Sequence, residues 1–290
     1  MPSVNKNTDN HVAVVTGAAA GLGWALVQRL LQDSWQVLLI DRDEQLLHSR
    51  LEECEQSRAN IHILAVDLLE PDAIFKVKSA VANTFGTINL LINNAGITHR
   101  SLIDITDTEV FKRVMDLDYR VPVELTLALK PLICEKQPGQ QSGVINIGSM
   151  AGWMPVVGRA GYCAAKSALS QFFETYRAEQ LSTDPHILMV YPSFLATDIE
   201  KNALGHDGKQ AQHQRTSVGH ITSAESMADL IIIAFTLQKP RLFPDKFTAA
   251  SAMLYRLSPS FFMKLMKNKF SDELSNGRAQ ITLMNGAKHD

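Results

Sequence analysis

Short apolar runs alternate with longer stretches of helical periodicity along almost the whole chain, and this alternation most restricts the fold. The apolar runs fall at 11–16, 36–41, 61–66, 88–93, 143–148, 186–191 and, more briefly, 241–244. The helical patterns fall at 22–33, 43–57, 71–85, 107–135, 160–183 and 223–238. Strands separated by helices imply parallel βαβ units. The expected fold is therefore a doubly wound parallel α/β sheet of about seven strands with helices on both faces, in three layers. A chain of 290 residues is long enough for one such domain with a sizeable core. Sheets of this class bind ligands beyond the carboxyl ends of their strands. Gly17, Asp41, Asp67, Asn94, Ser149 and Ser193 all fall at such ends.

The first strand runs into Thr16-Gly17-Ala18-Ala19-Ala20-Gly21-Leu22-Gly23, which opens a helix. Glycines at a strand-to-helix turn let the backbone approach a pyrophosphate, and the N–H groups of the first helical turn then face the phosphate charge. The spacing is G-x-x-x-G-x-G. The plain alternative is a small-residue turn, and the strand and helix on either side favour the phosphate reading. Eighteen residues past Gly23 the second strand ends in Asp41, placed to bond adenosine ribose hydroxyls, which favours NAD; Arg42, next to it, would instead meet the 2′-phosphate of NADP. Further along, Tyr162 and Lys166 stand four apart on a helix and so share one face. An ammonium beside a phenol favours the phenolate, which makes the pair a candidate proton-transfer device. Ser149, thirteen residues upstream of Tyr162, follows the apolar run Val144-Ile145-Asn146-Ile147 and emerges at a strand end.

Together these motifs resemble the short-chain dehydrogenase/reductase family, over about Val12 to Pro244. The resemblance implies a Rossmann-like fold and an NAD(P)-dependent oxidoreductase that interconverts a secondary alcohol and a ketone, or a primary alcohol and an aldehyde. It implies Tyr162 as general acid/base, Lys166 as its electrostatic partner and ribose ligand, and Ser149 as hydrogen-bond donor to the substrate oxygen. The implied cofactor-binding positions are Gly17, Gly21, Leu22, Gly23, Asp41, Arg42, Asp67, Leu68, Asn94, Ala95, Gly96, Tyr162, Lys166, Pro192 and Thr197. NAD is the favoured cofactor, with NADP the alternative, and no metal is expected. Two positions depart from the family pattern. Ser193 replaces a glycine after the sixth strand, and Asp118 replaces the catalytic asparagine that holds a water behind the lysine. A carboxylate at 118 could pair with Lys166 and weaken its effect on Tyr162. Pro122 offers a compensation: it has no N–H, so the carbonyl of residue 118 loses its helical donor and could hold the water itself.

The remaining segments are less informative. Residues 1–10 are polar, read as a disordered tail without the apolar stretch of a signal peptide. Residues 11–245 read as the catalytic domain, with a polar lid at 199–222, and 246–290 as a helical extension of it. His206, His213 and His220 recur every seven residues; Gly205, Gly208 and Gly219 argue against one continuous helix, so a solvated lid is preferred over a metal site. From Lys246 to Ser271 there are five basic residues and no acidic one, with apolar residues near helical spacing. Packing on the domain or on a partner subunit is the leading reading of this stripe, and contact with an anionic membrane the minor one. Cys54, Cys134 and Cys163 lack metal-ligand spacing and fit a reducing compartment, the cytoplasm. The net charge of −2 gives no reason to expect nucleic acid. The expected partners are a fairly apolar small-molecule substrate and further copies of the chain, as a homodimer or homotetramer. The rival readings are a dinucleotide-binding regulator with impaired catalysis and a membrane-surface reductase of lipid-like carbonyls.

Overall fold

The computed structural model describes residues 11–134, 142–192, 194–195, 202–211 and 221–286. Its centre is a sheet of seven parallel strands: β1 (Val12–Thr16), β2 (Gln36–Asp41), β3 (Ile61–Ala65), β4 (Leu90–Asn93), β5 (Gly143–Ile147), β6 (His186–Val190) and, at the edge, β9 (Arg241–Leu242). The strand order is β3-β2-β1-β4-β5-β6-β9. The chain winds outward from β1 to β3, then crosses to β4 and winds the other way. The reversal between β1 and β4 opens a crevice at their carboxyl ends, where a ligand site belongs in this architecture. Two further strands, β7 (Phe194–Leu195) and β8 (Ile221–Thr222), pair with each other outside the main sheet.

Successive strand residues point to opposite faces, so a strand covered on both sides must be apolar throughout. Ala13, Val15, Val37 and Leu39 enter one core with α1 (Gly21–Gln32) and α7 (Ala224–Thr236). Val12, Val14, Leu38 and Ile40 enter the other, with α3 (Ala73–Thr84), α5 (Val121–Leu129) and α6 (Ala160–Glu179). The helix α2 (Glu44–Glu53) is shorter than its sequence pattern and gives way to a 3-10 turn at Glu55–Asn60.

The pattern at 107–135 is not one helix. It comprises α4 (Thr108–Met115), a single π turn (Asp116–Arg120), α5 and a 3-10 turn (Lys130–Leu132). The cause is Pro122. It has no N–H to donate into the helix, and the chain absorbs the gap by widening: Val121 N–H bonds the Asp116 carbonyl, five residues back. The helix thus bulges at Asp118 instead of simply breaking. At the C-terminus, Pro259 stops α8 (Lys246–Leu257) and starts α9 (Pro259–Lys269), and α10 (Ser271–Gly286) follows.

Candidate functional site

The glycine turn between β1 and α1 is built for close approach. Gly17 has φ of +62°, and a Cβ on Gly23 would fall 1.9 Å from the Gly17 carbonyl oxygen. The turn is held from the neighbouring strand: the Asn94 side-chain amide donates to the carbonyls of Thr16 (2.9 Å) and Gly17 (3.0 Å), while Thr16 Oγ1 accepts the N–H groups of Asn94 and Ala95, each at 3.0 Å. Asn94 is therefore a brace for the turn. Ala20, at the N-cap of α1, has no side-chain oxygen to cap the helix. The N–H groups of Gly21, Leu22 and Gly23 thus have no side-chain capping partner and suit an anion.

Asp41 ends β2 with its carboxylate fixed: Oδ2 accepts the Ala19 N–H and Oδ1 the Asp43 N–H, both at 3.1 Å. Arg42 is exposed beside it. Arg50, which sequence reasoning missed, bonds the Ala19 carbonyl through Nε at 2.9 Å and stacks on Trp24. The backbone of Ala19 is therefore gripped on both sides, its N–H by Asp41 and its carbonyl by Arg50. Asp67 caps the turn after β3 by accepting the Leu69 N–H at 3.0 Å, and Leu68 is buried in the core.

At the carboxyl end of β5, Ser149 has extended backbone and caps a 3-10 turn (Met150–Gly152), its Oγ accepting the Ala151 N–H at 3.1 Å. With that acceptor occupied, the hydroxyl proton is directed elsewhere. Met150 N–H bonds the carbonyl of Pro192, which joins this turn to the end of β6. Tyr162 and Lys166 lie in the first turns of α6. Lys166 is almost fully buried; its Nζ donates to the Ile147 carbonyl at 2.9 Å and lies 5.8 Å from the centre of the Tyr162 ring.

The π turn brings Asp118 to the same place. Asp118 is wholly buried; Oδ1 accepts the Ile97 N–H at 2.7 Å, and Oδ2 lies 3.4 Å from Lys166 Nζ. Gly96 leaves room for it, since a Cβ there would stand 3.1 Å from Oδ1. Oδ2 itself has no hydrogen bond, although it is buried. Burial holds the Asp118 carboxyl above the usual carboxylate range, against the opposing pull of Lys166 and of the Ile97 N–H. The pairing anticipated from the sequence is thus present.

His99 is a site residue without a sequence signal. It is fully buried and sits edge-on to Phe111. Its Nε2 accepts the Gly161 N–H at 2.9 Å, and Nδ1 lies 3.3 Å from Ser101 Oγ. Accepting at Nε2 fixes the neutral tautomer with the proton on Nδ1. Burial, with the nearby Arg159 charge, lowers its pKa to about 4. Gly161 lies in the first turn of α6, so His99 caps the element that carries Tyr162. There is no space for a side chain at Gly161: a Cβ would meet Phe111 at 2.7 Å and His99 Nε2 at 3.2 Å.

The wall beyond Ser149 is aromatic. Trp153 packs edge-on to Tyr191 and Phe243, and the Arg256 guanidinium from α8 lies 4.4 Å from the centre of its ring system. On the other flank, the loop at 98–100 pairs with 202–211 through the Thr98–Leu204 and Arg100–Leu204 backbone bonds. Ser193, Thr197, His213 and His220 lie outside the described residues. Among the described residues no group of three His, Cys, Asp or Glu side chains could hold a metal ion. Burial pushes the Cys163 thiol up, away from the reactive thiolate.

The sequence profile described as short chain dehydrogenase matches residues 11–207. Dehydrogenase/reductase SDR family member 7B of Bos taurus is 30% identical over 271 residues, covering 91% of this chain and 82% of that protein. The Rattus norvegicus counterpart is 29% identical with the same coverage. Among solved structures, a short-chain dehydrogenase/reductase from Burkholderia phymatum in complex with NAD superposes with a TM-score of 0.75 at 19% identity, over 87% of this chain and 95% of that one. A short-chain dehydrogenase from Sphingobium yanoikuyae in complex with NADPH superposes with a TM-score of 0.72 at 21% identity, over 88% of this chain and 95% of that one. At such identities the structural likeness establishes the fold.

Proposed function

This chain belongs to the short-chain dehydrogenase family, and on that premise we propose that it interconverts an alcohol and a carbonyl compound with Tyr162 as the proton donor and acceptor. The observation that carries the reading is that buried Lys166, 5.8 Å from the centre of the Tyr162 ring, is anchored to the carbonyl of Ile147 at the end of β5, two residues before Ser149.

The proposed cofactor is NAD(P), and the residues present fit it. The space that a Gly23 Cβ would fill and the side-chain-free N-terminus of α1 suit a pyrophosphate. Asp41, locked by two backbone N–H groups, suits a ribose diol and would repel a 2′-phosphate, which favours NAD. When bound, the nicotinamide supplies or accepts the hydride.

The chain's own residues then handle the oxygen. Ser149 Oγ, already accepting from Ala151, donates a hydrogen bond to the substrate oxygen and stabilises the charge that develops there. In reduction Tyr162 gives its phenolic proton to that oxygen, and in oxidation its phenolate takes the proton back. Lys166, held by the Ile147 carbonyl, stabilises the phenolate. His99 keeps the start of the helix, and hence Tyr162, in register.

The test is turnover of NADH and NADPH against a panel of ketones and aldehydes, with NADH binding measured in parallel. Carbonyl-dependent oxidation of NADH supports the reading. Tight NADH binding with no turnover across the panel would favour a regulator in which Asp118 has silenced the site.

A further inference from the structure

The C-terminal helices carry a surface that the proposed chemistry does not use. Helices α8 and α9 pack against each other, with Tyr255 edge-on to Phe262, and seat Ala252, Phe262 and Phe270 against the protein. Their outer side bears five large apolar residues, Phe247, Met253, Leu257, Phe261 and Leu265, each between 46% and 78% exposed. Monomeric soluble proteins rarely leave so many large side chains together in water. Lys246, Lys264, Lys267 and Lys269 are exposed on the same two helices, and none has an ion-pair partner among the described residues.

Charge identifies the occupant. The segment from Lys246 to Ser271 holds five basic residues and no acid, in a chain whose net charge is −2, so the rest of the chain sums to −7. A second copy is a poor match, because a two-fold interface would set this basic strip largely against itself, with carboxylates only at its ends, at Asp245 and Asp272. A surface that is both apolar at its centre and anionic at its plane meets both demands. We propose that the exposed side of α8 and α9 docks on an anionic lipid bilayer, its apolar residues entering the headgroup boundary and its lysines meeting lipid phosphates and carboxylates. No helix among the described residues is long and apolar enough to cross a membrane, so the contact is peripheral.

The position of this surface gives it a use. Arg256 of α8 stacks on Trp153 in the turn beyond Ser149, and α10 packs on the loop before α4, where Leu102 fills the space beside Gly277. Helix α8 therefore adjoins one flank of the crevice, and α10, which follows the docked pair, the other, so an apolar substrate dissolved in the bilayer would reach it by a short path.

The experiment is co-sedimentation of the full chain with phosphatidylcholine vesicles, with and without phosphatidylserine. The expected result is binding to the anionic vesicles alone, weakened by salt. Leu257→Glu with Phe261→Glu should abolish it. Lys264→Glu with Lys267→Glu should weaken it by at least about twentyfold, since each lysine near an anionic surface contributes about fivefold. NADH affinity should be unchanged in both variants, which shows that they fold. Absence of vesicle binding, or binding that ignores both variants, would overturn the proposal. A homodimer broken by Leu257→Glu would instead assign the face to a second copy, and retention on polyglutamate without vesicle binding would assign it to an acidic protein.

Discussion

Replacing Asp118 by asparagine removes a buried negative charge without changing the shape of the side chain. Oδ2 is 3.4 Å from Lys166 Nζ, which is 5.8 Å from the centre of the Tyr162 ring. The two separations together keep the carboxylate within 9.2 Å of the ring. At an effective dielectric constant of about 20, a unit charge at ~9 Å is worth about 1.8 kcal/mol to a phenolate, or about 1.3 pH units. The Asp118 charge opposes the phenolate, so Asp118→Asn favours it. The expected outcome is that the tyrosine-controlled limb of the kcat/KM profile moves about one unit toward acid. The direction is the same for reduction, where the phenol must be protonated, and for oxidation, where it must not be. The rate at the new optimum should stay within about an order of magnitude, because Asn can still accept the Ile97 N–H through Oδ1. The assay is the pH dependence of carbonyl-linked NADH oxidation in both proteins. An unmoved limb would mean that Asp118 is neutral, or uncoupled from Tyr162, over the working range. A gain of several orders of magnitude would mean that the natural carboxylate cripples the site.

Three further outcomes follow from the geometry. His99→Leu leaves the buried Gly161 N–H without an acceptor and should cost about 1–3 kcal/mol in urea unfolding; a loss within error would remove His99 as the cap of α6. Because burial depresses the His99 pKa to about 4, its contribution to stability is complete above the ordinary value of 6.5 and is lost as pH falls toward 4. That loss amounts to about 3 kcal/mol, and His99→Gln, which does not titrate, should flatten this acid slope. Gly23→Ala puts a methyl group 1.9 Å from the Gly17 carbonyl oxygen, and NADH fluorescence titration should show affinity falling at least about a hundredfold; retained affinity would place the pyrophosphate elsewhere.

The sheet was legible because parallel strands buried on both faces must be apolar at every position, and Val12–Thr16 and Gln36–Asp41 end where their apolar runs end. The strand-end residues followed directly, including Asp41 and Ser149. The break at 116–120 was half legible. Pro122 announced a missing donor, but whether a helix breaks or widens depends on packing around Asp118, and no local pattern encodes that. The Asp118–Lys166 pairing was visible as a contingency, since it needs two residues 48 apart in sequence to meet. His99 and Arg50 were invisible for the same reason: their partners, Gly161 and the Ala19 carbonyl, are 62 and 31 residues away. A lone histidine after a strand carries no sign of the helix it will cap.

The central claim is that Tyr162 moves the proton at a nicotinamide-dependent site. Its most direct test is Tyr162→Phe, with NADH affinity and single-turnover oxidation of bound NADH by a carbonyl substrate measured on the same protein. The account requires affinity within a few-fold of the natural chain and a hydride-transfer rate lowered by about a thousandfold or more. A rate that survives the substitution would remove the tyrosine from the mechanism and leave Tyr162 and its Lys166 partner as structure without chemistry.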